Sequence, residues 1–368
     1  MAKHLPIDKL ETITQSSDIS RLSLDQIKEL FLDESAIADF APDGICNVDP
    51  RNGDRIVYNS ARARRPHDNR PTTPEKSVDE TGENCFICQG KTTQVVDVAR
   101  LSEGFTFINK NLYPILYPQP RDEKSDHNNP SQTIPECTGD VLGYHFLQWT
   151  SSYHDKDWHN MPSGDRLIVL QRLAALEKTM MTDSDTFVSI IKNYGHLVGG
   201  SLVHGHQQIA VSHIMPNRFK QDSDFQERAQ ETFSAYLLRE NPPELTIRDY
   251  GPAVLLTPYF MRRPYDMVLL IKDTQKSYLH SLNENELNAV GDGWRDAIRI
   301  MLSVIPRIGK ETAYNITTHN GHGGALYFEF LPYTQEMGGF EHLGLYLCQG
   351  NPKECALIAR ELLDGYPA

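Results

Sequence analysis

Two stretches of this chain run through the same succession of patterns, and that repetition limits the fold more than any other feature. The first passes through Phe105-Thr-Phe-Ile-Asn109 and a strand-like Tyr144-His-Phe-Leu-Gln-Trp149. A helical period follows from about Gly164 to Met181, then a strand from Thr186 to Ile191, then a histidine-bearing segment. The second passes through Val254-Leu-Leu-Thr-Pro258 and Asp266-Met-Val-Leu-Leu-Ile271. A helix is expected from about Asn283 to Val304, a strand near Thr312 to Thr317, and another over Ala325 to Leu331. Both copies give strand, strand, helix, strand, strand. Both carry a Gly-Gly pair before the last strand, Gly199-Gly200 and Gly323-Gly324. The pattern predicts an α+β fold of two duplicated halves, each an antiparallel sheet with helices packed on it.

The expected division is an N-terminal helical extension over residues 1–40, a first half over 41–220 and a second half over 221–368. Lys28-Glu-Leu-Phe-Leu32 reads as a short amphipathic helix in the extension. Asn69 to Asn84 and Gln119 to Pro135 are polar and read as loops. The length of 368 residues suits two domains or one large duplicated unit. A formal net charge of −13 argues against a nucleic-acid surface, which needs a basic stripe. It leaves room for a nucleotide ligand, since a few placed arginines suffice. Met1 to Phe40 lacks a basic segment followed by an apolar core, and runs such as Met267 to Ile271 are far too short to span a bilayer. A cytoplasmic protein with no membrane partner is expected.

Six cysteines in 368 residues are too sparse for a disulfide scaffold. Cys85-Phe-Ile-Cys88 is the one close pair, and its spacing suits a metal half-site or a redox motif. The polar, glycine-containing loop before it, Asp79 to Asn84, favours a zinc knuckle. Such a pair must complete a tetrahedron with histidines or carboxylates from elsewhere.

The segment Gly199-Gly-Ser-Leu-Val-His204-Gly-His206-Gln-Gln208 holds two histidines one residue apart. In an extended segment both point to one side. A tight turn before them and two amides after them suit the handling of a phosphate: one imidazole attacks phosphorus and the amides hold its oxygens. A pair of core histidines, or half of a metal site, is the plainer alternative.

Several further motifs occur in a fixed order. Arg62-Ala-Arg64-Arg65-Pro66 follows a strand-like Asp54 to Tyr58; Cys85-Phe-Ile-Cys88 and Phe107-Ile-Asn109 come next. Ser151-Ser-Tyr-His154, the Asn193 to Gln208 stretch and Gly338-Gly-Phe-Glu341 complete the series. In that order the chain resembles the galactose-1-phosphate uridylyltransferase family, the transferase branch of the histidine-triad superfamily, from about Cys46 to Leu363. The resemblance implies two histidine-triad-like halves. It also implies a zinc site of Cys85, Cys88, His154 and His204, with His145 and His159 as nearby alternatives to His154.

By the same resemblance His206 is the nucleophile, supported by Gln208 and Ser201. Arg62 and Arg65 bind phosphates, with forked guanidinium donors suited to the task. Asn109 and Asn193 contact the nucleotide or support its loop. Glu341 and Gln349 lie in a segment used on the sugar-phosphate side, often across a homodimer. The implied reaction moves a nucleoside monophosphate between phosphorylated acceptors through a nucleotidyl-histidine. The leading substrates are a UDP-sugar and a hexose 1-phosphate. An adenylyltransferase or phosphorylase acting on ADP-glucose or a similar donor is the alternative, and a catalytically silent nucleotide-binding protein is a third reading.

The chain departs from the family at its core. The family's common His-Pro-His-Gly-Gln is here His204-Gly205-His206-Gln207-Gln208. Glycine is expected to loosen the backbone that proline would fix, and Gln207 to alter the pocket wall. A second metal site that many members hold with a His-x-His pair is expected to be absent or altered, because Tyr327-Phe328-Glu329 stands there. His319 and His322 lie nearby.

Overall fold

The computed structural model describes residues 3–10, 18–41, 46–48, 55–57, 85–119, 142–181, 183–321 and 323–366. Arg62, Arg64, Arg65, Cys137, His322, the whole of Asn69 to Asn84 and nearly all of Gln119 to Pro135 lie outside the described residues. A small two-stranded ribbon pairs β1 (Cys46–Val48) with β2 (Arg55–Val57), matching the strand read at Asp54 to Tyr58.

The rest of the architecture is a single ten-stranded sheet. One half contributes β3 (Val95–Arg100), β4 (Phe105–Lys110), β5 (Gly143–Trp149), β6 (Phe187–Tyr194) and β7 (His206–Ser212). The other contributes β8 (Thr246–Asp249), β9 (Ala253–Leu256), β10 (Met267–Ile271), β11 (Tyr314–His319) and β12 (Tyr327–Pro332). The spatial order is β3-β4-β5-β7-β6-β11-β12-β10-β9-β8, with every pairing antiparallel. Numbered within its own half, each set of strands runs 1-2-3-5-4 from outer edge to centre. The two halves share one sheet rather than carrying a sheet each, because their fourth strands, β6 and β11, pair with one another. Across that seam Asn315 faces Asn193 and Tyr314 faces Tyr194. The two tyrosine rings stack at 5.0 Å, and Asn315 Nδ2 donates to Asn193 Oδ1 at 2.8 Å. An unpaired inner edge would leave a row of backbone donors and acceptors open, and the seam removes both edges at once.

The repeat in the sequence contained all the inner strands but not the outermost strand of either half. β3 carries a buried charge, Asp97, within its apolar run. β8 is short and polar, as edge strands often are.

One face of the sheet is covered by α3 (Ser163–Met180) and α6 (Glu284–Arg307), which occupy equivalent places between the third and fourth strands of their halves. Strand alternation sends Val188, Ile190, Ile209, Val211, Ile316, Phe328 and Phe330 into this layer. The Trp158 and Trp294 rings meet there at 4.9 Å. Asn283 starts α6 with a capping box: its Oδ1 accepts from Glu286 N at 3.0 Å, and Glu286 Oε2 accepts from Asn283 N at 2.7 Å. α8 (Pro352–Asp364) closes the layer with Ala356, Ala359 and Leu363. The N-terminal helix α1 (Leu24–Leu32) docks Ile27 and Phe31 onto the same core.

The opposite face carries the residues of the complementary register: His145 and Trp149 on β5, Ser189, Ile191 and Asn193 on β6, His206 and Gln208 on β7, and Thr317, His319 and Glu329 in the second half. Over the second half this face is covered by α4 (Asn217–Ala229) and α5 (Phe233–Glu240).

Candidate active site and metal centre

Cys85 and Cys88 sit in a tight turn closed by Gln89 N donating to Cys85 O at 3.1 Å and Gly90 N donating to Ile87 O at 2.8 Å. Their sulfurs meet two histidines from distant parts of the chain. Cys85 Sγ is 3.7 Å from His204 Nδ1; Cys88 Sγ is 3.6 Å from both His154 Nδ1 and His204 Nδ1. All four ligand atoms lie within 4.8 Å of one another, and among the described residues this is the one such group of His, Cys, Asp and Glu. The sulfur-to-nitrogen edge of a tetrahedral zinc site is about 3.6 Å, from metal bonds of about 2.3 and 2.0–2.1 Å. The donor set therefore fits a four-coordinate metal. His204 Nε2 lies 2.8 Å from the Ser151 carbonyl oxygen, so Nε2–H donates there and Nδ1 is left to bind metal. The Cys88 thiol and the two imidazoles hold the Cys85 sulfur far below its ordinary pKa against the opposing effect of burial. His145 and His159 are not in this group. His145 lies on β5 beside Gln208, and His159 is half-buried near Asp157.

The N-terminal extension reaches this centre. Leu5 N donates to Ser152 O at 2.9 Å, and the His154 amide donates to Lys3 O at 3.2 Å. The His4 and Tyr153 rings stack at 4.9 Å. Leu5 and Leu10 are buried with Cys85, Ile87, Phe105, Phe107 and Trp149 in one apolar cluster.

His206, the first residue of β7, is 5% exposed. Its Nδ1 lies 2.8 Å from the His204 carbonyl oxygen, which fixes the tautomer with Nδ1–H donating and a lone pair on Nε2. Burial, and after it the Lys192 ammonium, depress its pKa to about 4, so the imidazole is neutral near pH 7. The Trp149 ring packs 4.9 Å from it, and Trp149 is itself held by its Nε1 donating to Asn109 Oδ1 at 2.8 Å. Asn109 also donates to Thr93 Oγ1 at 2.9 Å, so its side chain braces the site.

Gln208 stands two residues along the same face. Ile115 N donates to His145 Nδ1 at 3.1 Å, which puts the proton of His145 on Nε2; that atom is 3.2 Å from Gln208 Oε1. The Gln208 carbonyl oxygen is thereby engaged and its amide N–H groups point away from His145. Asn193 is fixed by Asn315 from the other half. Ser201 is half-buried in the loop between Gly199 and Gly205. Gly199 makes the turn into that loop with a φ of 84°. Glu341 turns inward to cap α7 (Gly339–His342), its Oε2 accepting from Gly338 N at 2.8 Å and its Oε1 from Leu347 N at 3.2 Å. Gln349 is exposed, and its main-chain N donates to Gln335 Oε1 at 3.0 Å.

Two expectations drawn from the departures in the core motif change. Gln207 does not line the pocket. The two-residue period of β7 sends it to the helical face, where it is fully buried, donates to Gln148 Oε1 at 2.6 Å and accepts from Trp158 Nε1 at 3.3 Å. Gly205 is not loose. Its carbonyl accepts from Thr150 N at 3.0 Å, and the next carbonyl, that of His206, accepts from Lys192 Nζ at 3.1 Å.

The second half of the face holds a different cluster. His319 Nε2 is 2.9 Å from Glu329 Oε2 and its Nδ1 is 3.2 Å from Asp222 Oδ2. Tyr327 OH donates to both Asp222 oxygens at 3.0 and 3.1 Å and stacks on the His319 ring at 4.2 Å. Burial works against the imidazolium, yet Glu329 and Asp222 raise its pKa to about 9. Here the imidazole is bound between two carboxylates, with the Tyr327 ring stacked on it. Beside it a cavity of about 400 Å³ opens along the middle strands, lined by Ser189, Ile191, Thr317, Arg218, Arg262 and Arg263 among others.

No protein-family model matches the chain. It is 22% identical over 333 residues to the ADP-glucose phosphorylase of Arabidopsis thaliana, spanning 85% of this chain and 92% of that one. Among solved structures, a uridylyltransferase superposes with a TM-score of 0.66 at 16% identity over 87% of this chain and 98% of its own. A crystal structure of an ADP-glucose phosphorylase from Arabidopsis thaliana with bound ADP-glucose gives 0.60 at 18% identity over 86% of this chain and 97% of its own. No helix among the described residues is long and apolar enough to cross a membrane. The chain therefore shares the fold of the uridylyltransferase and of the ADP-glucose phosphorylase.

Proposed function

We propose that the protein is a nucleotidyltransferase that works by double displacement through His206. The observation that carries this reading is the tautomer of His206. Nδ1–H is tied to the His204 carbonyl and Nε2 keeps its lone pair on a neutral, buried ring. Nε2 attacks the α-phosphorus of a nucleoside diphosphate derivative. The bond from that phosphorus to the bridging oxygen breaks, and the leaving phosphate ester departs with the electron pair. A second phosphorylated acceptor then attacks the nucleotidyl-histidine and restores the neutral imidazole. Each step exchanges one bond to phosphorus for another of similar energy, so the reaction is reversible and ping-pong.

The Gln208 amide, turned by His145, and Ser201 serve the non-bridging oxygens. Arg62 and Arg65 serve the phosphates. Asn109 braces the aromatic floor and Asn193 the loop before His206. Glu341 and Gln349 serve the sugar-phosphate side from the loop after β12. The leading donor is a UDP-sugar with a hexose 1-phosphate acceptor. A second reading, adenylyl transfer or phosphorolysis of ADP-glucose, is favoured by the ADP-glucose phosphorylase found as a relative along most of its length.

The metal of the Cys85, Cys88, His154 and His204 group is proposed to be zinc, whose tetrahedral preference suits two thiolates and two imidazoles. It would supply structure, holding His204 and hence the start of β7. A reducing compartment such as the cytosol suits a site that needs free thiolates. A homodimer is proposed through the segment 337–347, where Phe340, Leu343, Leu345 and Leu347 stand 57, 83, 59 and 54% exposed.

The test is covalent labelling. Incubation with α-phosphate-labelled UDP-glucose and ADP-glucose is expected to put acid-labile, base-stable label on the protein from one of them, and that donor identifies the base. His206→Ala is expected to abolish the label while keeping the metal. Nucleotide binding with no label from either donor would sink the reading.

A further inference from the structure

The mechanism above leaves one buried charged pair unused. Lys192 on β6 and Asp157 in the loop before α3 are 1% and 6% exposed, and their Nζ and Oδ2 atoms are 2.7 Å apart. A buried ion pair is weak grounds for stability by itself, because desolvation offsets most of the attraction. What this pair touches is more informative. Lys192 Nζ donates its second hydrogen bond to the main-chain carbonyl of His206 at 3.1 Å. Asp157 Oδ1 accepts from Thr150 Oγ1 at 3.0 Å and from Trp158 N at 2.9 Å. That carboxylate lies against Gly205. A Cβ placed on Gly205 would come within 2.7 Å of Asp157 Cγ, 2.9 Å of its Oδ1 and 2.9 Å of Thr150 Oγ1. Gly205 has no left-handed φ. Glycine is required there by space, not by conformation.

We infer that Lys192 and Asp157 are positioning residues for His206: Asp157 occupies the room that a side chain at position 205 would take, and Lys192 anchors the carbonyl of the nucleophile. This rests on the reading of His206 as the nucleophile. A proline between the two histidines would hold the strand entry by fixing φ. Here the same entry is held from outside, by hydrogen bonds to two consecutive carbonyls, Gly205 O from Thr150 N and His206 O from Lys192. The three residues form one interdependent set, and changing position 205 alone puts a Cβ into the carboxylate.

The first experiment tests the packing and needs no substrate. Gly205→Ala is expected to lower Tm markedly. Adding Gly205→Ala to Asp157→Ala is expected to lower Tm by much less than Gly205→Ala lowers that of wild type, because Asp157 makes two of the three close contacts and only Thr150 Oγ1 remains. A Gly205→Ala protein with wild-type Tm, or a double variant as damaged as the sum of its parts, overturns the steric claim.

The second experiment tests positioning. Lys192→Met with Asp157→Asn removes both charges together and keeps the bulk, avoiding one unpaired buried ion. The ¹⁵N imidazole spectrum of wild type should show His206 as a single Nδ1–H tautomer, and the double variant should show a mixture, at unchanged metal content. Its rate of labelling at saturating donor should fall about ten- to a hundredfold with KM little changed, the effect expected of a small misplacement. A pure tautomer and an undiminished rate in that variant overturn the positioning role. If wild type itself takes no label, the transferase reading fails, while the tautomer and Tm results still decide this one.

Discussion

At the scale of single residues, two histidines one residue apart present different ring nitrogens because each gives its proton to a different carbonyl. His204 donates from Nε2 to Ser151 and presents Nδ1 to the sulfurs; His206 donates from Nδ1 to the His204 carbonyl and keeps the lone pair on Nε2. The pair itself is legible in the sequence, and its shared side follows from strand alternation. The asymmetry is not, since the partners come from the loop after β5 and from the Cys85 turn. The same holds for Gln208, whose orientation depends on His145, a residue 63 positions away. Replacing Gln208 with Ala should slow labelling by about a hundredfold, the usual cost of losing one donor to a developing charge. His145→Ala should slow it by only about tenfold, since it removes one hydrogen bond that orients the amide. Single-turnover rates with the same donor compare the two, and an equal loss in both would contradict the order of roles.

At the scale of elements, the metal knuckle and the N-terminal segment act as one unit. Leu5 is fully buried against Cys85 and Ile87 although residues 1–40 read as a mere appendage. Leu5→Ala should cost about 2–5 kcal/mol, as a buried leucine truncation usually does, and should speed removal of the metal by a chelator. Denaturant unfolding and a colorimetric chelator assay measure both, and unchanged metal release would separate the segment from the centre.

The other unit is the His319 cluster that ties α4 to β11 and β12. His319 faces Asp222, Glu329 and the Tyr327 ring, with Arg218 and Arg262 acting on Glu329 from further off. Its folded pKa, about 9 against an ordinary 6.5, is raised, so its contribution to stability is full below pH 6.5 and is lost as pH climbs through 9. Glu329 is lowered from 4.5 to about 2 despite burial, chiefly by His319, so its contribution is full above pH 4.5 and is lost as pH falls towards 2. The cluster therefore stabilises most between those ranges. Wild-type Tm should fall between about pH 6 and about pH 9, and Glu329→Gln should flatten that fall. Melting curves across the range check it, and parallel curves for the two proteins would remove the cluster from the explanation.

At the scale of the whole molecule, the internal repeat appears as two halves with one strand order, joined through β6 and β11. Leu343 and Leu347, 83% and 54% exposed, belong to this scale, because the proposed homodimer would bury them. Sedimentation should find a dimer in wild type and a monomer in Leu343→Asp with Leu347→Asp; a wild-type monomer would sink the homodimer.

The α+β class, the repeat, the inner strands and both long helices are legible in the sequence because they rest on periodicity; the four residues of the candidate metal centre were implied by the family resemblance and meet in the structure. One further signal was there unread: Val188, Ile190 and Lys192 share a register, so the lysine had to lie on the buried face of β6. That the halves share a sheet, that Gln207 faces the helices and that Asp157 stands where a side chain on Gly205 would go follow from the three-dimensional fold alone. Each of these depends on atoms brought together from distant parts of the chain, and local pattern carries no record of which distant residue arrives.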